Sequence, residues 1–284
     1  MANPNEPKIG LLITDFDGTI KPLVGPVPQV EAAALKTLGQ LKVVRAVATG
    51  RSLESFRLDW SPDLELDYLI YSSGLALCRF GRTGPLEHLF LKAFAPSESS
   101  LALDIALALG WGFVAFKAPP NSHHFYYLDP LNCPPSPGQV ARVNRFQEVA
   151  TPWPGYKPHE PLSQVLIMAP AEEFPQLKDR FQSLAPNLSI TLSSSPYGDG
   201  RIWLEVFPGG VTKGSASAAL ADLLGLTAQE TVAVGNDYND ENLLAWAGRG
   251  FVVADAPLEL RRRFSPLKDD LGVLSQVMAA LGLK

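Results

Sequence analysis

Two cysteines, Cys78 and Cys133, are all that the 284 residues contain. A chain so poor in cysteine has neither a disulfide framework nor a thiolate metal site, and a reducing cytoplasm is its expected location. No segment approaches the ~20 consecutive apolar residues needed to cross a bilayer. The opening Met-Ala-Asn-Pro-Asn-Glu-Pro-Lys also has no apolar stretch of the signal-peptide kind. Positive charge is scarce: 24 Lys and Arg face 29 Asp and Glu, a net charge of −5. There is no basic stripe, and Arg261-Arg262-Arg263 reads as a short solvated helix face, so neither nucleic acid nor membrane is expected as a partner. Repeats and low-complexity tracts are missing too. With 46% hydrophobic and 19% charged residues the composition is that of a globular protein with a real core, of one large or two modest domains.

What the chain does contain is a recurring junction, in which an apolar strand runs into a cluster of small and oxygen-bearing residues. The first is Gly10-Leu11-Leu12-Ile13-Thr14-Asp15-Phe16-Asp17-Gly18-Thr19. Alternate side chains of an extended backbone share a face, so Asp15 and Asp17 can both point into one site where the strand ends. Gly18 permits a sharp turn, and Thr19 adds a hydroxyl beside the acids. Two close carboxylates repel unless a cation lies between them, which suggests a hard metal such as Mg²⁺. Asp and Gly are also ordinary residues of a strand-to-turn junction, so the pattern alone does not decide the matter.

Three further junctions follow in order. Val43 to Ala48 ends in Thr49-Gly50 before a helix expected to open near Ser52, and free N–H groups with a hydroxyl at a helix start form a phosphate seat. In Val211-Thr212-Lys213-Gly214-Ser215, Thr212 reads as a helix N-cap. That puts Lys213 in the first helical turn, where the helix dipole disfavours a cation unless an anion lies in front of it. The fourth, Thr231-Val232-Ala233-Val234-Gly235-Asn236-Asp237-Tyr238-Asn239-Asp240, closes on oxygen donors of the kind Mg²⁺ accepts. Each could be an ordinary turn; four strand-end clusters in one chain point to a common site.

Residues 9–73 read as strand, helix, strand, helix, strand, with strands at 9–14, 43–48 and 68–71 and helices at 29–39 and 52–58. The same rhythm resumes at 212–284, with strands at 231–235 and 250–254 and a last helix from about 270. Alternating β and α units imply an α/β fold, a doubly wound parallel sheet of Rossmann-like type. In such sheets ligands bind beyond the carboxyl ends of the strands, where Asp15, Thr49, Lys213 and Asn236 to Asp240 all fall. Residues 83–208 differ: hairpin-like runs at 87–94, 124–128 and 201–207 mix with helices at 97–109 and 172–184, an inserted α+β domain. The expected division is thus 1–82 and 209–284 for the core and 83–208 for the insert. Ten prolines between Pro119 and Pro161 suggest an irregular stretch. Ser72-Ser73-Gly74 and Pro208-Gly209-Gly210 read as hinges. His123-His124 reads as decorating a strand of the insert, its two rings on opposite faces, and Trp111, Trp153 and Trp203 read as core residues. The polar run 193–200 is the first choice for a loop that reads a substrate.

The four motifs, at 15–19, 49–51, 213 and 235–240, resemble those of the haloacid dehalogenase superfamily phosphohydrolases. The resemblance is to the branch with a large α/β cap between the second and third motifs, which includes the Cof-type, sucrose-phosphate and mannosyl-3-phosphoglycerate phosphatases. It extends over essentially the whole chain. It implies a Mg²⁺-dependent phosphomonoesterase acting on a small-molecule phosphate ester, a sugar phosphate being the family expectation. Asp15 would be the nucleophile and Asp17 the acid and base. Gly18, Thr49, Gly50 and Lys213 would hold the phosphoryl group. The metal would be held by Asp15, the main-chain carbonyl of Asp17 and motif four, where either Asn236 ligates through its amide oxygen or Asp237 or Asp240 supplies the charge. One departure stands out: Asn236 occupies the place after the motif-four glycine where the family usually has Asp. A phosphotransferase or phosphomutase, or a non-catalytic sensor of a phosphorylated ligand, are the alternative readings.

Overall fold

A computed structural model describes residues 8–80, 86–131, 133–195, 201–268 and 272–283. The chain forms two compact units. One is drawn from both ends of the sequence, up to Phe90 and from Thr212 onward, and the other is Leu91–Val211.

The first unit opens with β1 (Leu11–Thr14), whose four residues are all buried. A continuous apolar run of this kind suits a strand covered on both faces. Helix α1 (Gln29–Gln40) leads to β2 (Val44–Ala48), and α2 (Leu53–Asp59), capped by the Ser52 hydroxyl, leads to β3 (Tyr68–Tyr71). Next come β4 (Ala76–Arg79), antiparallel to β3, and β5 (Glu87–Leu91) at the edge of the same sheet. The division therefore falls at 91 and 212 instead of 83 and 209. Residues 87–91 read locally as a hairpin strand, but they complete the first sheet and do not open the insert. Ser72-Ser73-Gly74 likewise lies within the first unit as a tight turn with positive φ at all three residues, away from the junctions between units.

The second unit contains α3 (Pro96–Leu109), β6 (Phe113–Lys117), β7 (Phe125–Leu128), α4 (Pro137–Arg145), β8 (Ala150–Pro152), β9 (Leu162–Ala169), α5 (Phe174–Leu184), β10 (Ser189–Ser194) and β11 (Ile202–Phe207). Its sheet has the order β10-β11-β9-β6-β7-β8 and is antiparallel except for β7 against β8. Alternation sorts its side chains: Phe113, Val165, Ile167 and Leu204 pack with Leu103 and Phe181, while Val114, Leu166, Met168 and Trp203 form a separate cluster. The proline-rich stretch is more ordered than its composition suggests. Ser136 caps α4 by accepting the Gln139 N–H, and Pro137 takes the first helical position, where its missing N–H costs nothing. His123 packs edge-on against Phe146. Residues 196–200 of the polar run fall outside the described residues.

On its return the chain adds α6 (Lys213–Leu223), β12 (Thr231–Gly235), α7 (Glu241–Trp246), β13 (Arg249–Val252), α8 (Leu258–Arg263), β14 (Ser265–Pro266) and α9 (Val273–Ala280). The expected start of the last helix, near 270, falls outside the described residues. The completed first sheet has the order β14-β13-β12-β1-β2-β3-β4-β5. β1 pairs in parallel with β12 on one side (Leu11 opposite Thr231) and with β2 on the other (Leu11 opposite Val44). The chain winds away from β1 in both directions, so β1 stands at the topological switch, where a crevice opens beyond the strand ends. Among the described residues no helix is long and apolar enough to cross a membrane.

One buried acid ties the two ends of the chain together. Glu31 of α1 accepts the N–H of Val273 (2.7 Å) and of Leu274 (3.0 Å), capping α9 from another helix. Glu31→Ala leaves two buried donors unpaired at a helix start, and a loss of about 2 kcal/mol of unfolding free energy is expected. Urea denaturation checks this: Glu31→Gln, which keeps one acceptor, should fall between wild type and alanine, and equal stabilities of all three would contradict the assignment.

Candidate active site

The carboxyl ends of β1, β2 and β12 bring four chain segments together. Asp15 follows the last residue of β1, and its N–H donates to the Val234 carbonyl of β12. Its side chain is fixed at both oxygens: Lys213 Nζ donates to Oδ1 at 2.6 Å and Thr19 Oγ1 to Oδ2 at 3.2 Å. Lys213 opens α6, capped by Thr212 in a reciprocal box with Ser215. The anion required in front of this lysine is therefore protein. Its ammonium lies between Asp15 and Asp240, 2.6 Å from an oxygen of each, and the lysine side chain is 1% exposed.

Asp240 is engaged through both oxygens. Oδ1 takes Lys213, while Oδ2 accepts the backbone N–H of Asn236 (2.9 Å) and of Asp237 (3.3 Å). These bonds shape the loop after β12. Two glycines make the approach possible. A Cβ on Gly235 would lie 2.5 Å from Asp240 Cβ, and one on Gly18, whose φ is +71°, would lie 2.3 Å from Asn236 Nδ2. The Asn236 amide thus lies directly against the turn that follows Asp17.

Burial governs the electrostatics here. It pushes the Asp15 carboxyl up, Lys213 pulls it back, and the charge of Asp240 adds to the rise, giving about 7 against an ordinary 3.8. For Lys213 burial acts downward, but Asp15 and Asp240 outweigh it and the net shift is upward, so the ammonium stays charged.

Asp17 faces a different partner. Its carboxylate receives two parallel hydrogen bonds from Arg51, Nε to Oδ2 and Nη2 to Oδ1, both at 2.6 Å. Thr49, 1% exposed, accepts the Arg51 N–H on its hydroxyl (3.1 Å) and the Ser73 N–H on its carbonyl. Gly50 beside it is exposed. Asp15, Gly18, Lys213, Asn236, Asp237 and Asp240 are joined by direct contacts, and Asp17 and Thr49 are joined to each other through Arg51. The part that sequence reasoning left without a role is Arg51 with Asp59 and Lys21. No local spacing rule couples residues 51 and 59, and only the length of α2 brings them into contact.

The donor set is suited to a hard cation. Among the described residues no three or more His, Cys, Asp and Glu side chains form a cluster able to hold a metal. A cation here would have to take amide and main-chain oxygens and water besides carboxylate, which is the habit of Mg²⁺ and not of zinc. Asp15, the Asp17 carbonyl, Asn236 and Asp237 fit that description.

Comparison with known proteins places the chain in a class. A family model of haloacid dehalogenase-like hydrolases matches residues 12–264, and the chain belongs to that family. It is similar to a putative phosphatase of Haemophilus influenzae (32% identity over 120 residues, 42% of this chain and 40% of that protein). It is also similar to an HMP-PP phosphatase of Enterobacter sp. (45% over 64 residues, 22% of this chain and 24% of that protein). The matched segments cover well under two thirds of these curated relatives. The fold is shared over nearly whole chains with a protein of Streptococcus mutans UA159 (TM-score 0.78, 18% identity, 97% and 100% covered). A phosphatase of the haloalkanoate enzyme superfamily from Bacteroides thetaiotaomicron (0.76, 17%, 99% and 98%) and a subclass IIB sugar phosphatase (0.72, 17%, 96% and 98%) share it as well.

Replacing the central cation tests this electrostatic account. Lys213→Met leaves two buried carboxylates facing each other, and a destabilisation of about 3 kcal/mol is expected at pH 8. The Asp15 carboxyl, raised well above its unfolded 3.8, makes the fold lose stability as pH climbs toward and through about 7, and further in the variant. The deficit should therefore shrink at pH 5, where Asp15 takes up a proton. Urea denaturation at both pH values decides, and an equal deficit would contradict it.

Proposed function

We propose that this protein is a phosphomonoesterase that works through an aspartyl-phosphate on Asp15. The observation that carries the reading is the Asp15 carboxylate itself, held at the end of the switch-point strand by Lys213 and Thr19 with a second carboxylate two residues on. Membership in the haloacid dehalogenase-like hydrolases and the phosphatase names of its relatives support it.

In the first step an Asp15 oxygen forms a bond to phosphorus while the bond from phosphorus to the ester oxygen breaks, and Asp17 gives its proton to the departing alkoxide. In the second step water attacks phosphorus, Asp17 takes a proton from it, and the bond from Asp15 to phosphorus breaks, releasing phosphate and restoring both carboxyls. The Lys213 ammonium, Thr49 and the N–H groups near Gly18 and Gly50 stabilise charge spreading over the equatorial oxygens. Bound Mg²⁺, held by Asp15, the Asp17 carbonyl, Asn236 and Asp237, would offset repulsion between the carboxylates and the phosphoryl oxygens. Asp240 acts at one remove, by fixing Lys213 and the loop of Asn236 and Asp237. The Leu91–Val211 unit takes the place of the cap that selects a small phosphorylated metabolite, with a sugar phosphate as the leading class and the cytoplasm as the setting.

The test is phosphate release from a panel of phosphorylated metabolites with Mg²⁺ and after chelation. Asp15→Asn should lose at least about a thousandfold in kcat while keeping its fold. Asp237→Ala should need about tenfold more Mg²⁺ for half-maximal rate, a loss of roughly 1.4 kcal/mol in binding. Asn236→Asp should be tolerated. An Asp15→Asn enzyme with more than a few per cent of the wild-type rate would sink the covalent route.

A further inference from the structure

The two carboxylates of the first motif are gripped by the same device. Asp15 is bound by a cation, Lys213, whose other contact is a second carboxylate, Asp240. Asp17 is bound by a cation, Arg51, whose other contact is Asp59. The Arg51 guanidinium is fixed on every side. Nη1 donates to Asp59 Oδ2 (2.5 Å) and to the Ser55 carbonyl (3.0 Å), the Phe16 ring lies beneath at 5.3 Å, and the free Nε and Nη2 edge is presented to Asp17. Arg51 precedes the cap of α2 and Asp59 ends it, so the whole helix sets this arm. Lys21 Nζ lies 4.0 Å from Asp17 Oδ1 and 3.9 Å from Asp59 Oδ2, closing the ring of charges.

The two grips differ in one respect. Lys213, Asp15 and Asp240 side chains are 1%, 7% and 0% exposed, whereas Arg51, Asp17 and Asp59 are 17%, 34% and 35% exposed. A buried triplet is locked, because separating it strands a charge in a dry interior. A half-exposed bidentate pair has the same directionality, but water can replace either bond at small cost. That is what a proton-transferring group needs: one orientation at rest and freedom to turn to the ester oxygen during the reaction.

We propose that Arg51, anchored by Asp59, is the positioning residue for the two proton transfers of Asp17. This inference rests on the phosphomonoesterase reading. Arg51 holds the ionised Asp17 in one rotamer at rest. On turning from Arg51 to the ester oxygen, Asp17 takes up a proton from solvent, gives it to the departing alkoxide as the ester bond to phosphorus breaks, and later takes one from the attacking water. Nothing in this role requires Arg51 to touch the phosphoryl group.

Leaving-group dependence separates this role from a structural or phosphate-binding one. Nitrophenolate departs without a proton, and an alkoxide does not. Arg51→Ala should therefore keep kcat/KM for p-nitrophenyl phosphate within about threefold, and lose about thirtyfold in kcat/KM for glycerol 3-phosphate. Release of phosphate from Asp15 also needs Asp17, so kcat and KM for the aryl ester should fall together by about tenfold, with a burst of one nitrophenolate per enzyme. Asp59→Asn, at the half-exposed end of α2, should show the same pattern about fivefold more weakly in case the first variant folds poorly. Arg51→Lys should recover only part of the loss, since an ammonium cannot make the two parallel bonds. Equal falls in kcat/KM on both esters, a raised KM, or no change in either variant would overturn the proposal. Asp15→Asn, run in parallel, reports on the underlying reading: if it cleaves both esters at the wild-type rate, that reading fails and this one with it.

Discussion

One ammonium group organises this site. Lys213 is fully buried between Asp15 and Asp240, at 2.6 Å from each, and it offsets the charge of both carboxylates in the interior. Without Lys213 two carboxylates would oppose each other in a low-dielectric interior, where the repulsion is several-fold greater than in water. Without Asp240 the lysine would pair with Asp15 alone, and the loop carrying Asn236 and Asp237 would lose the acceptor for two of its N–H groups. The triplet joins a strand end to a helix start 198 residues later and to a loop 27 residues beyond that, so it also registers the two halves of the first unit.

The sheet supplies the positions. β1 is buried throughout, lies between β2 and β12, and points all three carboxyl ends to the same side. The fold by itself would host many chemistries. It is the side chains at these strand ends that narrow the choice: a buried carboxylate held by a cation, a second carboxylate held by a more exposed cation, and amide and carboxylate oxygens beside them. The match to the haloacid dehalogenase-like family spans these strands, from residue 12 to 264.

Much of this was legible in the sequence because it is written in short-range rules. The period of two puts Asp15 and Asp17 on one face, Gly18 announces the turn, and a lysine after a threonine cap demands an anion. Other features depend on contacts that no local rule encodes. Asp240 reads in the sequence only as an oxygen donor, and its hold on Lys213 and on the N–H groups of Asn236 and Asp237 appears only in the folded chain. Arg51 and Asp59 look like unrelated surface charges until α2 is given its length. Residues 87–91 show the pattern of a strand, but which sheet a strand joins is a tertiary fact. Helix α4 was legible in principle, since Ser136-Pro137 is a helix start, yet the density of prolines around it obscured the signal.

The central claim is that phosphate passes through Asp15, and the most direct measurement is chemical. Wild-type protein mixed with p-nitrophenyl phosphate and Mg²⁺, quenched in acid within the first turnover and digested, should yield one phosphorylated peptide, with the phosphate on Asp15 in the Leu11–Thr19 segment. Phosphate on another residue, or rapid turnover with no phosphorylated peptide at any quench time, would contradict the account.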